Sequence, residues 1–137
     1  MQYSDNFLDF FKSLVSHSEL KMRRLAAFNL PCFNKLYREQ QDMFDIDFND
    51  IYLNFSKEED PVLLKTIAAS IHEAFQLMSD EEDSQKLRDA FKNIIEMNNR
   101  DTISVISENL DISLMRYCNT HAVKKYAPLL GGVKEEV

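Results

Sequence analysis

Apolar residues recur along this chain at the spacing of a buried helical face. Phe7, Phe10, Phe11 and Leu14 stand at i, i+3, i+4 and i+7, a period that places side chains on one side of an α-helix. Ser4 is positioned to cap that helix. Ser16, His17 and Ser18 then interrupt the pattern. A second helix is predicted from about Glu19, burying Met22, Leu25, Ala26, Ala27 and Leu30. Pro31 falls inside this pattern, which continues through Cys32, Phe33, Leu36 and Tyr37. Proline removes one backbone donor and crowds the preceding turn, so a kink, or a stop and restart, is expected there.

Arg38 to Asp45 reads as a polar connector. Phe48, Ile51, Tyr52 and Phe55 then repeat the spacing of Phe7 to Leu14, shifted by 41 residues. Lys57 to Asp60 breaks this helix. Asp60 is placed to cap the next one, with Pro61 in its first turn, where a missing N–H costs nothing. That helix carries Leu64, Ile67, Ala68, Ile71 and Phe75 to about Met78. Ser79 to Asp83 forms an acidic turn, and Ser79 with Glu82 has capping-box spacing. A third pair follows: Leu87, Ala90, Phe91 and Ile94, a turn at Asn98 to Asp101, then Ile103, Ile106, Leu110 and Leu114. Thr120 to Leu130 carries the beginnings of a seventh helix, and residues 131–137 read as a flexible tail.

Within this periodicity a twelve-residue block occurs twice. Met22–Phe33 (MRRLAAFNLPCF) aligns with Leu64–Phe75 (LKTIAASIHEAF) at a shift of 42 residues. Ala26-Ala27 match Ala68-Ala69, and Arg23 matches Lys65. The third pair keeps the spacing but has Ser104 for the basic residue and Ser107-Glu108 for the alanines. Self-similarity near 40 residues predicts an all-α solenoid of helix pairs, with repeats at about 4–40, 44–80 and 84–118 in one unit spanning 1–130. The alanines let helices approach closely. Arg23 and Lys65, just after their turns, are placed to tie neighbouring repeats to acidic turn residues.

Composition narrows the function. With 2 glycines and 3 prolines among 137 residues, long helices and short turns are favoured over a β fold. A net charge of −7 argues against nucleic acid and against an anionic membrane surface. The N-terminal acids Asp5 and Asp9 are wrong for a signal peptide, and no apolar stretch is long enough to span a bilayer. Cys32 and Cys118 belong to no CxxC pair and read as reduced core residues of a cytoplasmic protein.

Candidate chemistry changes little. Asp45, Asp47 and Asn49 begin like a calcium loop, but Asp50 holds the glycine position and Ser56 the position of the bidentate glutamate. His72 lacks the second histidine a zinc helix requires, and His17 and His121 lie in other segments. Asn54-Phe55-Ser56 is a formal glycosylation sequon of no use to a cytoplasmic chain. No phosphate loop or nucleophile–base pair is visible, so neither catalysis nor a metal or cofactor is expected.

An apolar residue, a basic residue, two spacers and Ala-Ala on the second helix of a pair resemble a HEAT repeat. LAAFNLPCF, the stretch DIDFNDIYLNFSKEEDPVLLKTIAASIHEAFQL, and RYCNTHA at Arg116 to Ala122 resemble the family of HEAT-repeat regulatory subunit 4 of serine/threonine protein phosphatase 4. Its members are much longer, so the resemblance implies a fragment, short isoform or truncated relative. It also implies a non-catalytic scaffold that binds a phosphatase catalytic subunit and takes no small-molecule substrate. Two readings stay open beside it: an interaction segment of another HEAT-repeat protein, such as a transport receptor, and a purely structural repeat fragment. Stacked turns would form the partner-binding ridge, with Ser16, His17, Glu58, Glu59, Asp60, Arg100 and Asp101 as its candidates. The acidic turn residues have a plainer reading as solvated charge.

Overall fold

A computed structural model describes residues 2–79, 81–97 and 99–109, with side chains from residue 7 onward. Those residues form six α-helices and no strand: α1 (Gln2–Val15), α2 (Leu20–Tyr37), α3 (Phe48–Ser56), α4 (Pro61–Leu77), α5 (Gln85–Glu96) and α6 (Arg100–Asn109). A short 3-10 turn, Arg38–Gln40, follows α2 directly. Leu110, Leu114, Cys118, His121, the RYCNTHA stretch, the expected seventh helix and the tail lie outside the described residues.

The helices pack in a layered order. α1 lies on α2, α3 on α4, and α5 on α6. Across the pairs, α2 lies on α4, α4 on α6, and α3 on α5. One apolar cluster runs through all six helices, from Leu8 to Ile106. Its largest fully buried side chains include Tyr52, Phe11, Phe48, Phe75 and Phe91. Burying each such side chain is worth roughly 1.5–3 kcal/mol.

The buried face of α1 is in part the expected one. Leu8, Phe11 and Leu14 are buried, while Phe7 and Phe10 are exposed. The run FLDFF puts apolar groups over more than one helix face, and packing decides among them. Phe11 stacks on Phe33 of α2 with centroids 4.4 Å apart, and Phe33 stacks on Tyr37 at 5.9 Å. This aromatic column turns Leu8 inward and leaves Phe10 outside. Ser4 lies inside α1 rather than at its cap.

Helix α2 runs unbroken through Pro31, so the chain neither stops nor restarts there. Ala26, Ala27, Leu30, Asn34 and Tyr37 form its buried side. Leu25, Cys32 and Leu36, expected in the core, are exposed. They fall on an arc of the helix that no described neighbour covers. Arg38, expected in a polar connector, is buried and donates to Asn34 Oδ1 at 2.9 Å and to Glu82 at 2.8 Å. The chain reverses after it through Asp45, whose φ of 53° is left-handed, a region that aspartate tolerates better than most residues.

Local chemistry explains the later starts. Asp47 caps α3, accepting from Asp50 N at 3.1 Å. Asp60 caps α4, accepting from Leu63 N at 2.8 Å, with Pro61 in the first turn as its chemistry requires. Glu82 accepts from Ser79 N at 3.1 Å, half of the expected capping box. No helix begins there, because α5 starts only at Gln85. In α3, Phe48, Ile51, Tyr52 and Phe55 are all buried, as their spacing predicts.

The duplicated alanines divide into two roles. Ala26 and Ala68 are both buried, and Ser107 occupies the same place in α6 and is also buried. The second position differs: Ala27 is buried, whereas Ala69 and Glu108 are exposed. A small, buried residue is thus retained in all three pairs only at the first position.

Candidate partner-binding turns

Two turns meet at one edge of the molecule because two consecutive arginines of α2 reach across to the chain before α4. Arg23 donates from Nε and Nη2 to the two carboxylate oxygens of Glu58, both at 2.9 Å. Its Nη1 donates to the backbone oxygens of His17 and Ser18, both at 3.0 Å. One guanidinium therefore clamps the turn before α2 against the turn before α4, using the fork geometry that lysine lacks. Arg24 donates to Asp60 Oδ2 at 2.9 Å and Oδ1 at 2.6 Å.

Electrostatics follow this geometry. The Arg24 hydrogen bonds hold the Asp60 carboxyl below its ordinary range, helped by the Leu63 N–H, while burial pushes the other way. Glu58 raises the Arg23 pKa, and Asp60 raises that of Arg24, chiefly through the same hydrogen bonds. These contacts favour the charged forms of Asp60, Arg23 and Arg24.

The candidate residues thus separate. Glu58 and Asp60 are consumed in holding the turns together. His17 accepts from Glu19 N through Nδ1 at 3.0 Å, and Ser16 donates to Lys12 O at 3.4 Å. Glu59 is exposed between two paired carboxylates. Arg100 and Asp101 are exposed in the first turn of α6, and Asn99 accepts from Thr102 N at 3.1 Å at that helix start. The first two turns are joined by side chains. The third connects to the rest through helix packing, α4 on α6.

Of the two basic residues read as inter-repeat ties, Arg23 makes the contact. Lys65 is exposed and takes part in none of the ion pairs among the described residues. Arg24, which the block alignment left unremarked, makes the second tie. Its partner lies 36 residues away, a separation that no local sequence signal marks.

The opposite edge carries a second ionic group. Lys86 Nζ lies 2.7 Å from Asp47 Oδ2 and 3.5 Å from Asp50 Oδ1, tying α5 to the start of α3. Burial works against the Asp47 carboxylate, but Lys86 and the backbone of Asp50 outweigh it and lower its pKa. Of the aspartates that resembled a calcium loop, Asp47 is thus both a helix cap and a lysine anchor, and Asp45 sits in the left-handed turn before it. Among the described residues no group of three His, Cys, Asp or Glu is arranged to hold a metal ion. No described helix is long and apolar enough to cross a membrane.

Comparison with known proteins finds no family model, curated protein or solved structure that matches this chain.

Proposed function

We propose that this chain is a segment of a HEAT-like α-solenoid, a cytoplasmic scaffold without catalysis of its own that binds the catalytic subunit of a serine/threonine protein phosphatase. The observation that carries the reading is the layered packing, α2 on α4 on α6, with Arg23 joining the first two inter-helix turns. Such layering aligns successive turns along one edge, where a partner can grip several at once. The sequence resemblance supplies the phosphatase. On this reading Ser16, His17, Glu59, Arg100 and Asp101 form the outward part of the ridge, and Glu58 with Asp60 hold it in shape.

The test is capture of purified phosphatase 4 catalytic subunit by the tagged chain at low salt. Wild type should retain the enzyme. Glu59→Lys and Asp101→Lys, both at exposed positions, should weaken capture several-fold without changing the melting temperature. Absence of capture by the wild-type chain would sink direct binding. Full capture by both variants would remove the ridge from the interface.

A further inference from the structure

The 42-residue register brings out a difference between the first two pairs. It carries Leu25, Phe28, Cys32 and Leu36 of α2 onto Ile67, Ser70 and Ala74 of α4 and onto Met78 just past its end. All four of these positions are buried. In α2, by contrast, Leu25 is 45% exposed, Phe28 71% and Leu36 66%, and Cys32 is exposed too. The first helices behave alike at their shift of 41: Phe10 is 62% exposed where Ile51 is buried. Single apolar residues on a surface are ordinary. These four follow one another at i, i+3, i+7 and i+11, a continuous stripe along one side of α2.

Packing accounts for the contrast. Helix α4 lies between α2 and α6. Helix α2 has α4 on one side, and no described helix takes the place on the other. Its pairing with α1 corresponds to that of α4 with α3, so α1 does not supply the missing layer. The stripe therefore occupies the position of a helix-on-helix contact.

Charge indicates what would fill it. Helix α2 carries Lys21, Arg23, Arg24 and Lys35 and no acidic residue, in a chain of net charge −7. Lys21 stands one turn before Leu25 at the head of the stripe, and Arg24 and Lys35 border it. Glu39, in the 3-10 turn, is the acid at its far end. A second copy of α2 would bring no acidic residue of its own helix to Lys21 or Lys35, so charge does not favour self-pairing.

We infer that the outer face of α2 is a docking surface for an amphipathic helix of a partner protein, apolar along one side and acidic on its flanks. The apolar side would cover Leu25, Phe28 and Leu36, and its carboxylates would meet Lys21 and Lys35. This surface is distinct from the turn edge, and its test does not depend on the phosphatase.

The probe is a labelled synthetic peptide with a leucine stripe at helical spacing and glutamate flanks, compared with the same peptide carrying lysine flanks. Fluorescence anisotropy against the purified chain should show binding of the acidic peptide, weakening with salt. The double variant F28E/L36E should weaken it by about tenfold or more, and Lys35→Glu should narrow the preference over the basic peptide. Because all three positions are exposed, circular dichroism melting should be unchanged. Absence of binding, equal affinity for both peptides, or undiminished binding to the double variant would overturn the inference. So would a wild-type dimer in light scattering that Phe28→Glu dissolves, which would assign the face to a second copy. Capture on phosphatidylserine vesicles, lost in the same variant, would assign it to lipid instead.

Discussion

At the scale of single residues, the paired alanines show how a repeated letter can hide two environments. Ala68 is buried and Ala69 exposed, so Ala68→Leu should overpack its contact and cost roughly 1–3 kcal/mol. Ala69→Leu should stay within about 0.5 kcal/mol. Urea denaturation of the two variants checks both. Asp60 joins a helix cap to an ion pair, and its carboxyl is depressed from 3.8, first by Arg24. A depressed carboxylate contributes stability above its unfolded pKa and loses it as pH falls through the folded value. Asp60→Asn keeps a cap acceptor but no charge. It should therefore be less stable than wild type at pH 7, and the gap should narrow below about pH 4. Urea midpoints across that range decide it. The Asp60-Pro61 start was legible in sequence because capping is local. The Arg24 pair was not, since nothing near Arg24 announces a partner 36 residues away.

At the scale of the helix, periodicity located the elements well and their buried faces less well. Phe48, Ile51, Tyr52 and Phe55 are buried because α3 has neighbours on its whole apolar arc: α4 on one side, α5 on another. Leu25, Phe28 and Leu36 share that period, yet stand in solvent. The period reports that a face is apolar and does not report what covers it. Pro31 illustrates the complementary limit. Its ring disfavours a helix interior locally, but Ala26, Ala27 and Leu30 before it and Asn34 and Tyr37 after it are buried on the same helix, and that packing carries α2 past the missing donor. Pro31→Ala should restore the hydrogen bond to the preceding turn and raise stability by up to about 3 kcal/mol, measured as a shift in urea midpoint. A fall in stability would mean that the core is shaped around a bend at this point.

At the scale of the whole molecule, long-range ion pairs join the layers at two edges, and the second of these was invisible in the sequence. Arg38, at the end of the first pair, meets Glu82 in the connector before the third. The two residues are separated by 44 positions, and each taken alone looks like solvated loop charge. Glu82→Ala would leave a guanidinium that is 6% exposed with Asn34 as its remaining side-chain hydrogen-bond partner among the described residues, a loss of about 1–3 kcal/mol. Arg38→Met should cost less, because it removes the buried charge together with its need for a partner. Thermal melts of the two variants order these losses. The strongest helix contacts run within a pair or to the pair beside it, and this fixes how the chain answers to load. Pulled apart along its helices, the described part should yield as a series of small steps, because α1 packs chiefly on α2, and α6 on α4 and α5. Helix α4, held between α2 and α6, would be among the last to let go, making this chain a compliant spring rather than a brittle latch.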